Sequence, residues 1–184
     1  AMKFILISTT VALASVSAYA QQKPNFYVEA GYTFVNYEEN IDGDIYKSSP
    51  KAIRLIGGAE LSKNVAFEAM VGFNGGNDSV TANGVNYPTV KFKMDSMYGV
   101  FVKPKVELAP NFELFGRLGY THATATVSEP DYGSYEASDS DFSYGVGISY
   151  RIDPKLSISA DYMSYLNKTD YSAKGFTIGL GLQF

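Results

Sequence analysis

The 184-residue sequence contains no cysteine, no tryptophan and a single histidine, His122. The absence of cysteine excludes disulfides, thiolate metal ligands and a cysteine nucleophile, and a lone histidine excludes a multi-histidine metal site. Charged residues are also few, at 18%, with 15 Lys and Arg against 19 Asp and Glu. A chain this poor in basic residues is not expected to bind nucleic acid. We also expect no metal and no cofactor.

Long apolar runs are missing as well. Beyond the N-terminus no run approaches the roughly 20 apolar residues of a membrane-spanning helix, so any membrane role of the mature chain requires strands. Residues 1–20 have the pattern of a cleavable signal peptide: Lys3 is the positive region, Phe4 to Val16 is apolar, and Ala18-Tyr19-Ala20 is the cleavage site. We expect residues 21–184 to form one domain and Ala1, before Met2, to be left over from cloning. A short N-terminal anchor helix is the alternative.

From Asn25 onward, apolar and polar residues alternate with a period of two, which is typical of β-strands with unlike faces. Eight such runs lie at residues 26–37, 51–61, 65–73, 90–108, 112–126, 142–152, 156–166 and 175–184. The connections after runs one, three, five and seven are long and polar, and the others are short turns. This alternation predicts an all-β, eight-stranded antiparallel up-and-down transmembrane barrel.

Two local signals refine the strands. Asn83-Gly84, in the second long connection, predicts a tight hairpin that continues beyond the membrane. Pro104 interrupts the fourth run and predicts a bulge or a lost ladder bond there, because proline cannot donate to the ladder.

The polar face distinguishes a membrane barrel from a soluble barrel with an apolar interior. A water-exposed face would be rich in Lys, Glu and Thr, but this face carries Gly31, Gly58, Gly72, Gly99, Gly119, Gly145, Gly147, Gly175, Gly179 and Gly181. Glycines weaken strands, yet they suit the narrow interior of an eight-stranded barrel. The apolar face has no charge in its central span, where a lipid-facing Lys or Arg would cost about 2–4 kcal/mol. We therefore predict that the apolar face meets lipid.

Aromatic residues near the strand ends are expected to form two interfacial belts. The lower belt would contain Phe26, Phe67, Phe112, Tyr150 and Phe184, and the upper belt Phe34, Phe73, Phe92, Tyr120, Phe142 and Phe176.

The final strand carries the first of two resemblances. Its alternating residues from Phe176 end in a terminal phenylalanine. This segment resembles the assembly signal of outer-membrane β-barrel proteins. The resemblance implies that the barrel-assembly machinery reads Phe176, Gly179, Leu182 and Phe184.

Two further segments are Tyr98-Gly99-Val100-Phe101-Val102-Lys103-Pro104-Lys105 and Phe115-Gly116-Arg117-Leu118-Gly119-Tyr120. They resemble the small-barrel family that includes OmpX, Ail, Opa and the OmpA membrane domain. The resemblance covers residues 25–184 and implies a barrel in the outer membrane of a Gram-negative bacterium, in contact with lipid and lipopolysaccharide. We expect a monomer. The family does not specify a role, because this fold hosts adhesins, anchors and lipid enzymes.

Seven charged residues have inward parity: Glu29, Arg54, Glu68, Asp95, Lys103, Arg117 and Asp161. Charges in a narrow, poorly hydrated interior must pair or shift their pKa values. We expect a salt-bridge network that plugs the lumen, surrounded only by Gly, Ser, Ala and Thr. Three acids near Arg117 leave excess negative charge, so Lys103 or Arg54 should join, or one acid should be protonated. A narrow ion-conducting channel through the same residues is the alternative.

His122 is the one candidate for catalysis. Some eight-stranded barrels deacylate lipopolysaccharide with a Ser-His-acid triad on the outer wall, in a His-x-Ser motif. Here the matching position is Thr124, a hindered nucleophile, and no acid of clear parity stands beside it. We therefore interpret His122 as an interface residue and predict no enzymatic activity.

The long connections are rich in acids. Asp42 and Asp44 in the first, and Tyr132 and Tyr135 in the third, are candidate recognition residues for a cationic partner or divalent ions. Asp42-Gly43-Asp44 resembles a calcium-loop fragment without its remaining ligands, so we interpret it as a turn. The prediction is a barrel that presents four extracellular loops to a ligand that the sequence does not identify, in a structural or surface-interaction role.

Overall fold

The computed structural model describes residues 25–131 and 133–184, so the predicted signal peptide and Tyr132 lie outside the described residues. The described chain forms β1 (Phe26–Ile41), β2 (Asp44–Ser48), β3 (Lys51–Ser62), β4 (Val65–Gly76), β5 (Asp78–Ala82), β6 (Val85–Ala109), β7 (Phe112–Glu129), β8 (Gly133–Arg151), β9 (Leu156–Asn167) and β10 (Tyr171–Gln183). Eight of these close an antiparallel ring in the order β1-β3-β4-β6-β7-β8-β9-β10, because β10 also pairs with β1. The predicted eight-stranded barrel is confirmed. No helix in the described part of the chain is long and apolar enough to cross a membrane.

The two ends of the ring differ. At one end, which we call the turn rim, short turns join β3 to β4, β6 to β7 and β8 to β9. At the other, the loop rim, the strands run on into longer hairpins. There β2 pairs with β1, β5 pairs with β6, and β2 pairs with β5 through Tyr46 and Lys47. Asn83 and Gly84 have φ angles of 48° and 82°, as a two-residue hairpin turn requires.

The apolar face points outward, as predicted. Along β3, for example, Ile53 and Leu55 are exposed whereas Ala52, Arg54 and Ile56 are buried. The same alternation runs round the ring, so the barrel shows an apolar surface outside and holds its charges inside. Between bulges the side chains of a strand alternate, so the register there decides which residues face the lumen and which face outward.

A bulge in β6 contradicts one prediction. Between Met94 and Ser96 the register of β6 against β7 shifts by one residue, which leaves Asp95 unpaired. Tyr98 and Val100 point outward beyond this shift, but Phe92 is only 6% exposed and lies in the lumen. The assignment of Phe92 to the upper aromatic belt is therefore wrong, since a bulge reverses the faces of the strand on its far side.

Pro104 interrupts pairing without a bulge. Towards β7 no pairs form between Val102↔Leu118 and Lys105↔Phe115, yet the register is the same on both sides of the gap. The predicted loss of ladder bonding occurs, because proline has no N–H to donate.

The interior has two levels. Near the turn rim it is charged, whereas above it lies an apolar cluster that includes Val35, Ile56, Met70, Met97, Phe101 and Met163. Glycines make room for these large side chains. At Gly119, an added Cβ would collide with the Val100 carbonyl oxygen and lie 2.8 Å from Phe101 Cα. The lumen is therefore packed like a protein core at this level.

Candidate functional site in the lumen

Two buried arginines organise the charged level. Arg54, from β3, is 1% exposed and donates from Nη2 to Glu29 Oε1 at 3.0 Å and from Nη1 to Asp161 Oδ1 at 2.9 Å. Its Nη1 also donates to the Tyr165 hydroxyl at 3.1 Å. The planar guanidinium thus ties β1 to β9 across the lumen, using the forked geometry that suits carboxylates.

Arg117, from β7, holds the same acids from the other side and is also 1% exposed. Its Nε donates to Glu68 Oε2 at 2.6 Å and its Nη1 to Asp161 Oδ2 at 2.6 Å. Its Nη2 lies 3.2 Å from both carboxylate oxygens of Glu29. Each arginine therefore bridges at least two acids, and Asp161 and Glu29 are shared between them.

Lys103 completes the charge balance. Its Nζ lies 3.7 Å from Glu68 Oε1 and 4.3 Å from the centre of the Phe115 ring. Lys103 and Arg54 both join Arg117, as the excess of acids predicted. The set of Glu29, Glu68, Asp161, Arg54, Lys103 and Arg117, which we call the charge network, holds three acids and three bases and is formally neutral.

Three aromatic residues that the sequence analysis did not include among the lumen residues surround the network. The Tyr27 hydroxyl donates to Glu68 Oε1 at 2.6 Å, the Tyr165 hydroxyl meets Arg54, and the Phe115 ring lies 4.7 Å from Arg117 Cζ. The expectation of only small neighbours is wrong. Tyr27 and Tyr165 alternate with the outward apolar residues of their strands, so their inward orientation could have been predicted from the sequence.

Asp95 does not belong to the charge network. It sits at the β6 bulge, where its Oδ1 lies 2.5 Å from Lys93 Nζ and its Oδ2 accepts a hydrogen bond from the Thr126 hydroxyl at 2.6 Å. Its inclusion among the network residues is wrong, because the bulge alters the parity on which that assignment rested.

Cavities on the two sides of the network differ tenfold in volume. On the turn-rim side a cavity of about 70 Å³ is lined by Tyr27, Lys103 and Lys105 among others. On the loop-rim side a cavity of about 700 Å³, which we call the outer cavity, has mainly apolar walls that include Val35, Phe92, Met94 and Leu166. Tyr165 lines the outer cavity and meets the network through its hydroxyl, so its ring separates the two levels.

Tyrosines hold two acids in the wall of the outer cavity. The Tyr37 hydroxyl donates to Glu39 Oε2 at 3.1 Å, and the Tyr171 hydroxyl donates to Asp139 Oδ2. Burial, and then the bond to Asp139, raise the pKa of Tyr171 to about 12. The bonds from the Tyr171 hydroxyl and the Ser140 N–H hold the pKa of Asp139 below its usual range. Asp139 is therefore charged at neutral pH.

The candidate loop residues are separated. Asp42 and Asp44 lie at the exposed β1–β2 turn, where Asp44 Oδ1 accepts a hydrogen bond from Asn83 Nδ2 at 2.8 Å. Tyr135, on β8, instead lines the outer cavity. Asp42 has a positive φ of 53° and Gly43 one of 97°, so this segment is a turn that fastens the first two hairpins together.

His122 has a partner that the sequence did not suggest. Its Nδ1 lies 2.8 Å from Ser140 Oγ on the neighbouring β8, and its ring lies 4.8 Å from that of Tyr98. Thr124, the position taken from the His-x-Ser motif, pairs with Ser138 instead. Among the described residues no carboxylate is hydrogen-bonded to His122, so the serine–histidine pair has no orienting acid.

The residues of the predicted assembly signal lie along the β1–β10 seam. Phe176, Leu182 and Phe184 are exposed on the outer face. The Phe184 N–H donates to the Phe26 carbonyl at 2.9 Å. Gly179 faces inward, where an added Cβ would lie 3.2 Å from Glu29 Cγ. The last strand thus both closes the barrel and leaves room for the charge network.

Comparison with known proteins agrees with this architecture. The model of the outer membrane protein beta-barrel domain family matches residues 6–184. The fold is similar to Ail, the attachment invasion locus protein of Yersinia pestis, with 20% identity, a TM-score of 0.61, and coverage of 89% of this chain and 100% of that one. No curated protein sequence matches the chain.

Two other solved structures show the same fold. Neisserial surface protein A is 16% identical, with a TM-score of 0.66 and coverage of 86% of this chain and 97% of its own. OprG of Pseudomonas aeruginosa is 12% identical, with a TM-score of 0.59 and coverage of 89% and 97%. The chain belongs to the outer membrane protein beta-barrel domain family, and it is an integral β-barrel of the Gram-negative outer membrane.

Proposed function

We propose that this protein is a non-enzymatic, monomeric surface barrel whose lumen the charge network closes to ions. The observation that carries the proposal is the pair of fully buried arginines bonded across the lumen to Glu29, Glu68 and Asp161. An ion that crossed this level would have to separate buried ion pairs. Removing one partner from such a pair costs about 3–5 kcal/mol, so passage would be slow.

Planar-bilayer recording of the purified barrel tests the closure. The wild-type protein should give no unitary current steps, whereas the Arg54→Ala, Arg117→Ala double variant, which loses two large side chains from the same level, should conduct. Lys47→Ala, at an exposed ion pair, is the matched control and should stay silent. Wild-type steps as large as those of the double variant would establish the ion channel instead.

The proposal also places the loop rim outside the cell. Single cysteines at Asp42 and Ser134, in two different loop-rim hairpins, should react with a membrane-impermeant maleimide in intact cells. A cysteine at Lys155, in a turn-rim connection, should react only after the outer membrane is broken. Labelling in the reverse order would overturn the orientation.

The charge of the loop rim favours a cationic partner over a polyanion. One Ail structure was solved with the heparin analogue sucrose octasulfate, which is highly anionic. In this chain residues 38–50 contain four acids and one lysine, and residues 127–141 contain five acids and no base. Like charges repel across an interface. We therefore expect no binding to immobilised heparin at physiological salt, and retention on that resin would contradict the charge argument.

A lipid A deacylase remains the second candidate, because His122 and Ser140 are within hydrogen-bonding distance. The pair has no orienting acid among the described residues, and a histidine without one is a poor general base. Mass spectrometry of lipid A from cells that express the wild type or Ser140→Ala decides between the two. We expect identical spectra, and loss of an acyl chain only with the wild type would establish the enzyme.

We also propose that the barrel-assembly machinery recognises the last strand through Phe184. Deletion of Phe184 should lower the yield of folded, heat-modifiable barrel in the outer membrane. The exposed ring and its place at the end of the β1–β10 seam support this role. Phe26→Ala, which removes an exposed aromatic side chain from the other side of the seam, is the control. An unchanged yield in the deletion strain would exclude the role.

A further inference from the structure

The outer cavity has the size and chemistry of a ligand site. Its volume of about 700 Å³ falls in the range of small-molecule pockets, which are concave, mostly apolar and carry a few placed polar groups. It is open at the loop rim and ends at Tyr165 above the charge network. A ligand could therefore enter from the loop rim without crossing the network.

The aromatic walls are preorganised. The rings of Tyr37 and Phe92 are stacked at 4.7 Å, and Tyr171 lies 6.3 Å from Tyr37. The hydroxyls of both tyrosines are already bonded to Glu39 and Asp139, which fixes the rings against the wall. Aromatic faces backed by carboxylates attract organic cations, because the ring quadrupole and the formal charge act in the same direction.

The lining of the outer cavity carries more negative than positive charge. Glu39, Glu129 and Asp139 line the outer cavity, and Lys47 is the one base among the described residues that line it. The Lys47 ammonium is 2.9 Å from Glu38, outside the lining. Lys168 lies 3.9 Å from Asp139, but it is closer to Asp141, at 3.5 Å. The acids of the cavity are therefore not fully neutralised.

A buried hydroxyl marks an unused polar contact. Ser48, which lines the outer cavity, is 5% exposed, and its Oγ has no hydrogen-bond partner in the structure. Buried polar atoms normally have partners. The Oγ itself is enclosed in this conformation, so a ligand in the outer cavity would reach it only after a rotation about its χ1 angle.

We propose that the outer cavity binds lipophilic organic cations, with the charge held by Glu39 and Asp139 and the apolar body held by the aromatic and aliphatic walls. This site lies outside the charge network and does not depend on closure of the lumen. A barrel that conducts ions could still bind such a cation, and a closed barrel could fail to bind it. Conductance and binding therefore test the two proposals separately.

Tetraphenylphosphonium is the probe, and tetraphenylborate, with nearly the same shape and the opposite charge, is its control. The full barrel is placed in phosphatidylcholine nanodiscs, and binding is measured by isothermal titration against empty nanodiscs. Tetraphenylphosphonium should show one saturable site per barrel and tetraphenylborate none. Equal binding of the two ions, or no saturable binding of the cation, would overturn the proposal.

Two variants locate the site. The Glu39→Gln, Asp139→Asn double variant should weaken cation binding by about tenfold or more, while Asp131→Asn, Glu136→Gln, at two exposed acids outside the lining, should leave it nearly unchanged. Ala125→Phe should abolish saturable binding by filling the cavity. Heat-modifiable migration verifies that each variant is folded. Unchanged binding in the Ala125→Phe barrel, or equal weakening in the two charge variants, would exclude this cavity as the site.

Discussion

The charge network and the outer cavity are built by the same strands but reach opposite states. β9 contributes Asp161 to the first and Leu166 to the second, and β7 contributes Arg117 and Ala125. In the network, long charged side chains reach one another and satisfy each other's charge. In the outer cavity, small residues and wall-bound rings leave a space with acids at its edge. The size of the inward side chains, rather than the strand framework, decides whether a level of this lumen is closed or open.

The largest expected effect is on the network side. Arg117→Ala should lower the free energy of unfolding by about 3–5 kcal/mol, because it leaves buried carboxylates without their partner. Adding Glu68→Gln should restore part of this loss by removing one of those charges. Urea unfolding of the refolded barrel measures the free energies of unfolding of both variants. Because the chain has no tryptophan, far-UV circular dichroism of the strands reports the unfolding.

The control for this prediction is the exposed Lys47–Glu38 pair, with a separation of 2.9 Å. Lys47→Ala should cost no more than about 1 kcal/mol, since solvent screens surface pairs. If Arg117→Ala unfolds at the wild-type urea concentration, the network does not stabilise the barrel and the contrast between the two levels disappears.

An intermediate effect should distinguish packed from open space. Gly119→Ala should cost about 1–3 kcal/mol, because its Cβ would meet the Val100 carbonyl and the Phe101 backbone. Gly57→Ala is the matched control on the outer face, where a Cβ would have nothing within 4 Å. Urea midpoints compare the two glycine variants.

The much larger substitution Ala125→Phe should change the free energy of unfolding by less than about 1 kcal/mol, because the added ring would extend into the empty space of the outer cavity. The same urea experiment measures it. A loss for Ala125→Phe greater than that for Gly119→Ala would show that the outer cavity is not open space.

The smallest effect concerns pH at the loop rim. Tyr171→Phe removes the main hydrogen bond that lowers the pKa of Asp139, so this pKa should move up towards its ordinary value. Because the pKa is lowered in the folded state, the stability that this contact supplies is present above the ordinary aspartate pKa and is lost as pH falls through the lowered value. The pH dependence of unfolding between those values should therefore be weaker in the variant. Side-chain carboxyl NMR follows Asp139 directly, and an identical titration in both proteins would contradict the assignment.

The sequence by itself determined the eight ring strands, the outward apolar face and all six members of the charge network. Each of these follows from a period of two, which is local because neighbouring strand residues point to opposite sides. The hairpin at Asn83-Gly84 is equally local, since two residues set its backbone angles.

Only the tertiary structure decided the rest. A one-residue shift between β6 and β7 moved Asp95 out of the network and Phe92 into the lumen, and no local pattern reports such a shift. The contact of His122 with Ser140 depends on the register of β7 against β8. The outer cavity depends on the sizes of side chains from many strands and on the pairing of β2 with β5. Register, bulges and empty volume arise from long-range pairing and packing, so they exist only once the ring has closed.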